Sequence, residues 1–177
     1  KGVKTLKGYK KRKSSLTDEE KQNSQSNGSL MRCSPLVLLS NMIKPIRLDV
    51  NITNENDINY ETEWLYLFIL KYILETDEKD KTKMIEKIKN CLDTYKQITD
   101  ENIVKQIITD IFNDKKRDIV TPKGWVCSAF YICFETLLKN MNYQDSMDYI
   151  INHKGSDTDT NAAITGALIG GMLGYKK

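Results

Sequence analysis

Asp157-Thr158-Asp159-Thr160 sets two carboxylates and the Thr160 hydroxyl within four residues, near the C-terminal end of a 177-residue chain. Gly155-Ser156 precede it, and an Ala/Gly-rich stretch with helical character follows from Asn161. Hard oxygen ligands aimed at one point suit a divalent cation such as magnesium or manganese. Asp157 and Asp159 flank Thr158, so in an extended approach both carboxylates point the same way. Thr160 then falls in the first helical turn, close to the same point. Three such ligands meet about half the demand of a six-coordinate ion, and water, substrate or another part of the chain would supply the remainder. The same residues also suit an Asx turn and N-cap, with acids favoured by the helix dipole. Spacing alone leaves both readings open.

A second constellation, Ser26-Asn27-Gly28-Ser29-Leu30-Met31-Arg32, stands just before an apolar stretch. Gly28 would let backbone N–H groups turn toward a ligand, with Asn27 and Ser29 adding side-chain donors. A helix N-terminus favours anions such as a diphosphate. A plain turn with a capping serine uses the same residues. Arg32 could clamp a phosphate or carboxylate, or serve structure. His153, the only histidine, reads as structural rather than as a general base.

The elements that must position these residues read as helices. Residues 1–25 are Lys/Ser/Gln-rich and read as loop or disorder. A helix is expected from the Asn27-Gly28 turn to about residue 43, with Pro35 near its start, followed by a loop over 44–56 containing Pro45. Helical spacing marks 57–75, where Trp64 and Phe68 form an i, i+4 pair. Further helices are expected over 80–95, after a Thr99 N-cap, from Pro122, after an Asn142 N-cap, and over 160–174. The aromatic stripes read as core. Small residues at 163, 166 or 167, 170 and 174 suggest a smooth face that a neighbouring helix approaches closely. No segment alternates with period 2. The expected class is all-α, a compact bundle of about seven helices with mostly short connections.

Composition narrows the function. The chain is 40% hydrophobic and 29% charged, the range of a globular domain. Residues 1–25 carry eight Lys/Arg against three acids, and residues 26–177 carry nineteen against twenty-one. The basic excess therefore belongs to the first segment, so the body is not expected to bind nucleic acid. Cys33, Cys91, Cys127 and Cys133 form no CxxC pair. A zinc site is not expected, and reduced thiols in a cytoplasmic protein are. Ala162 to Leu173 is too short an apolar run to span a membrane.

The two constellations, in this order, resemble the ADP-ribosylglycohydrolase family, which includes the dinitrogenase-reductase-activating glycohydrolases. The resemblance rests on Asn27-Gly28-Ser29-Leu30-Met31-Arg32 with Pro35, and on Gly155 through Ala163 with Ile164, Gly166, Ala167, Leu168 and Gly170. Gly124-Trp125-Val126 adds to it. It implies an all-α domain over residues 26–177 with a pair of Mg2+ or Mn2+ ions in a cleft. It also implies cleavage of the glycosidic bond between ADP-ribose and a protein side chain or small molecule. Asp157, Asp159 and Thr160 would be metal ligands; Ser26, Asn27, Gly28 and Ser29 would hold the diphosphate-ribose. The catalytic base is unassigned.

Three departures from the family pattern accompany the resemblance. The family's N-terminal Thr-Asp-Asp motif is absent, Thr53-Asn54 replaces a Thr-His pair, and Gly155-Ser156 replaces Gly-Gly. Residue 1 is Lys rather than Met. The expectation is a partial chain, with an inactive ADP-ribose-binding or structural member of the family as the alternative.

Overall fold

The computed structural model describes residues 17, 19–20, 23–117, 123–152 and 157–174. The helices are α1 (Gly28–Arg32), α2 (Ile43–Thr53), α3 (Asp57–Glu75), α4 (Lys81–Ile98), α5 (Ile103–Phe112), α6 (Val126–Leu138), α7 (Tyr143–Ile151) and α8 (Thr158–Leu173), with a 3-10 segment, Ser34–Leu38, after α1. Among the described residues the extended pairing is one isolated antiparallel bridge, Ser26 with Trp125. The all-α expectation holds, with eight helices among the described residues in place of about seven.

Helix α6 is the centre. Its residues Val126 through Phe134 are all buried, with Thr136 and Leu137, as expected for a helix apolar on every side. Phe130 and Phe134 pack one turn apart with their rings tilted by 44° and centroids 4.5 Å from each other. Helices α3, α5, α7 and α8 pack around it. On α3 the buried set is Leu65, Tyr66, Leu67, Ile69, Leu70 and Ile73, together with Asn59, Thr62 and Glu63. Asn56 caps α3 by accepting from the Ile58 N–H at 2.8 Å. Tyr66 Oη donates to the Ile164 carbonyl at 3.0 Å, tying α3 to α8.

Several boundaries differ from the sequence expectation. The helix expected to reach residue 43 breaks after Arg32, where Pro35 opens the 3-10 segment at its first turn. The expected loop over 44–56 is largely α2. Pro45 is the third residue of that helix, where a backbone N–H would lack an intrahelical acceptor in any case. The cap of α5 is Asn102, which accepts from Lys105 N–H at 2.9 Å, and Thr99 instead closes α4. Asn142 does cap α7, accepting from Asp145 N–H at 2.8 Å. Pro122 and His153 lie outside the described residues, as does most of segment 1–25.

Two packing expectations also change. Trp64 and Phe68 stack at 5.4 Å, but Phe68 is 43% exposed and is not core. The small-residue face of α8 is a face of close approach only in part. Ala163 is exposed and nothing comes within 4 Å of a methyl group added at Gly170. The close contacts fall at Gly166, against the Tyr143 hydroxyl, and at Gly171, against Leu70, Ile73 and Leu74 of α3.

Candidate functional site

Three helix starts meet at one place. The chain entering α1 pairs with the chain entering α6: Asn27 N–H donates to the Gly124 carbonyl and Val126 N–H to the Gln25 carbonyl, both at 2.9 Å. Trp125 Nε1 adds a bond to Gln25 Oε1 at 2.8 Å. Asn27 Nδ2 then donates to Asp157 Oδ2 at 3.1 Å in a buried contact, which brings in the start of α8. Gly124 makes this convergence possible. Its φ of +75° is the left-handed region that glycine tolerates best. A Cβ there would lie 3.5 Å from Asp157 Oδ2 and 3.7 Å from Asn27 Oδ1.

The acidic motif divides by environment. Asp157 and Thr160 are each 4% exposed, whereas Asp159 faces solvent. Asp157 stands at the N-cap position of α8, yet its side chain makes no capping hydrogen bond to that helix. Its carboxylate is directed to Asn27 instead, so the capping reading does not account for it. In the second motif, Asn27 likewise makes no side-chain cap for α1. Gly28 has ordinary helical backbone rather than a left-handed turn; the left-handed glycine of the site is Gly124. Ser26 and Gly28 are half-buried. Ser29 is fully buried, with its hydroxyl accepting from Asn59 Nδ2 at 3.2 Å.

Three polar residues lie beneath this segment; the sequence marked Asn54 only as a departure from the family's Thr-His pair and passed over Asn59 and Glu63. Asn54 donates from Nδ2 to Ser24 O at 3.0 Å and to Ser26 Oγ at 2.9 Å. Asn59 donates to Ser26 O at 2.8 Å. Glu63, one turn further along α3, has no exposed surface, and neither carboxyl oxygen reaches hydrogen-bond geometry with a described residue. Burial pushes its carboxyl up to about 8, Asp49 adds to the rise, and Arg32 and the nearby Ser29 hydroxyl partly offset it. The available signal was an acid at helical spacing from Asn59, Tyr66, Leu67 and Leu70, on the side of α3 that is otherwise largely apolar. Arg32 is committed to α2: it bonds Asp49 Oδ1 at 3.0 Å, the Asp49 carbonyl at 2.7 Å and Thr53 Oγ1 at 3.0 Å.

The family model described as ADP-ribosylglycohydrolase matches residues 1–177. The chain belongs to the ADP-ribosylglycohydrolase family. It is similar to "Putative ADP-ribosyl glycohydrolase L543" of Acanthamoeba polyphaga mimivirus, 27% identical over 173 residues, covering 84% of this chain and 50% of the relative. The chain thus spans about half the length of that relative. No solved structure matches significantly. The family match includes residues 1–25, and at the end of that segment Ser24 and Gln25 bond to Thr53, Asn54, Trp125 and Val126.

The donors that the sequence suggests for a divalent ion are the oxygens of Asp157, Asp159 and Thr160. They are hard ligands, and one is a buried carboxylate not used in capping, so they fit as part of a ligand set. No group of three His, Cys, Asp or Glu that could hold a metal occurs among the described residues. A cleft of about 320 Å³ lined by Lys89, Phe112, Glu135 and Lys139 lies elsewhere, among α4, α5 and α6. Among the described residues no helix is long and apolar enough to cross a membrane.

Proposed function

We propose that the protein hydrolyses the glycosidic bond linking ADP-ribose to a protein side chain or a small molecule, and that it does so with Mg2+ or Mn2+, two ions in the complete site. The observation that carries this reading is the Asn27–Asp157 hydrogen bond. It joins the two segments that carry the family resemblance, 130 residues apart, at one buried point. In this reading Asp157, Asp159 and Thr160 contribute part of the metal ligand set. Ser26, Asn27 and Gly28 line the diphosphate-ribose site, with Ser29 supporting them from below. A reducing, cytoplasmic location belongs to the same reading, supported by four free cysteines of which three are buried.

The chemistry follows from what the bond requires. Cleavage at the ribosyl anomeric carbon builds oxocarbenium character. Bound divalent ions would fix the ribose hydroxyls and lower the pKa of the attacking water. The residues of this chain contribute orientation. The bridge between Ser26 and Trp125 holds the Asn27–Ser29 segment at a set distance from Asp157. Contacts to the remote diphosphate then position the reacting carbon, so their binding energy appears in the rate.

The test is release of ADP-ribose from an ADP-ribosylated protein and from small ADP-ribose conjugates, with Mg2+ and with chelator. Turnover that needs Mg2+ and is lost in Asp157→Asn/Asp159→Asn is the expected result. Turnover that survives the double substitution would remove the metal role. Binding of ADP-ribose without turnover by the folded chain would reduce the reading to a binding protein.

A further inference from the structure

We propose that Asn59 is a positioning residue for the Ser26–Ser29 segment, acting from the buried face of α3 together with Asn54 at the end of α2. Its assignment to a substrate site rests on the functional reading above; its mechanical role does not. Asn59 has no exposed surface, and its Nδ2 donates to Ser26 O at 2.8 Å and to Ser29 Oγ at 3.2 Å. One carboxamide therefore holds both ends of the four-residue segment. Asn54 is also buried and grips the same segment from the other side through Ser26 Oγ and Ser24 O. The Asn54 Oδ1 is itself fixed by the Thr53 hydroxyl at 2.7 Å.

Peptide geometry explains why this bracket is needed. The extended pairing at Ser26 comprises only two backbone hydrogen bonds, Asn27 to Gly124 and Val126 to Gln25. An isolated bridge of that size has no sheet to support it, and a two-stranded pairing is marginal in water. Helix α1 has five residues, too short to be stable alone. The segment between them is held by tertiary contacts, and the buried asparagines supply polar ones of fixed direction. Unlike apolar packing, an amide donor specifies the orientation of the carbonyl it meets. Orienting the Ser26 carbonyl sets the direction in which Asn27 leaves, and hence its reach to Asp157.

The test uses the full chain with Asn59→Ala, Asn54→Ala and, as a control on the same helix, Thr62→Val. Thr62 is buried but bonds only the Ile58 and Asn59 carbonyls of its own helix. Amide hydrogen exchange is followed at Asn27 and Val126, and ADP-ribose binding is titrated with Mg2+ present. The expected result for Asn59→Ala is exchange about tenfold faster at both amides and ADP-ribose binding weaker by about tenfold or more, as loss of one or two net hydrogen bonds implies. Amides of α4 and α5 should be unchanged, and Thr62→Val should leave Asn27 and Val126 unchanged. Should Asn59→Ala not fold, the same pattern is required of Asn54→Ala. Unchanged exchange at Asn27 and Val126 would overturn the proposal. So would faster exchange with undiminished ADP-ribose affinity, which would leave a purely structural asparagine. If the wild-type chain binds no ADP-ribose while the exchange effect holds, the mechanical role stands and the functional reading fails.

Discussion

Asn27 Nδ2 stands 3.1 Å from Asp157 Oδ2, and the contact is buried. A buried carboxylate needs donors, because leaving a charged group unsatisfied costs more than an ordinary hydrogen bond contributes. The bond also explains a lack of symmetry in both motifs. Asn27 and Asp157 each occupy an N-cap position, and neither side chain caps its own helix. Two residues of the types that favour capping are instead turned to each other across the start of α6.

This relationship predicts coupling. Asn27→Ala should lower stability by about 1–3 kcal/mol, the cost of removing a donor from a buried acceptor. In a double-mutant cycle with Asp157→Asn, measured by urea unfolding, the interaction energy should be about 1–3 kcal/mol. Simple additivity of the two substitutions would mean that the bond does not join the motifs energetically.

Glu63 predicts a pH dependence. Its carboxyl is raised from 4.5 to about 8, first by burial and then by Asp49. The folded state therefore keeps a proton that the unfolded chain has already released between those values. Stability contributed by the protonated acid is full below pH 4.5, falls as pH rises toward about 8, and is gone above it. At about 1.4 kcal/mol per pH unit the total cost of ionisation is of the order of 5 kcal/mol. Glu63→Gln keeps the shape and removes the charge, so its unfolding free energy should be flatter with pH and higher than wild type at pH 8 and above. Parallel curves for the two proteins would show that Glu63 finds a partner or water when ionised.

What the sequence made legible was periodic or local. The bounds of α3 came through because Asn56 supplies a side-chain cap and its aromatic and aliphatic residues repeat at helical spacing. Pro45 misled because a proline stops a helix only beyond its first turn, and nothing local marks Ile43 as the start of α2. Thr99 and Asn102 are both good caps by type; tertiary packing decides between them. The polar bracket under Ser26 was not legible. Its hydrogen bonds span 28–33 residues and leave no spacing rule to read. Gly124 was visible as the residue before Trp125, but its left-handed φ and its closeness to Asp157 exist only once the chain is folded.

The two glycines of the motif regions predict opposite responses. Gly124→Ala places a side chain at φ +75°, a conformation that costs an alanine about 1–2 kcal/mol, and brings a methyl to 3.5 Å from Asp157 Oδ2. It should lower stability by about that amount. Gly28→Ala is in a helix and meets only Ser26 Oγ at 3.8 Å, so it should be neutral or stabilising by up to about 1 kcal/mol. If Gly28 lines the diphosphate site, the same alanine should weaken ADP-ribose binding while the fold gains. Thermal unfolding with and without ADP-ribose measures both effects.

The thiols predict a reactivity order. Burial pushes Cys127 and Cys133 up to about 12 and raises Cys33 well above its ordinary value, with Glu63 and Asp49 adding to the effect. The thiolate is the nucleophile, so these three should stay silent toward a disulfide reagent at pH 8 in the native state. Cys91 is half-buried and less strongly raised, and should react first. Reaction of Cys127 or Cys133 before unfolding would mean that the core opens around α6.

The adjacent glycines near the end of α8 distinguish propensity from packing. A methyl at Gly170 meets nothing within 4 Å, whereas one at Gly171 lies 3.3 Å from Leu70 Cδ1 and 3.4 Å from Leu74 Cδ2. Both positions are helical, so each substitution by alanine removes the same conformational cost, about 1 kcal/mol. Gly170→Ala should therefore stabilise by about 0.5–1 kcal/mol. Gly171→Ala must also push two leucine side chains of α3 outward, and overpacking costs about 1–3 kcal/mol. Leu74 is half exposed and can yield, but Leu70 is buried between the helices, so the net effect should be destabilising. The sign difference, read from urea midpoints, tests whether α8 is seated on α3 through Gly171 rather than through the stripe that begins at Ala163.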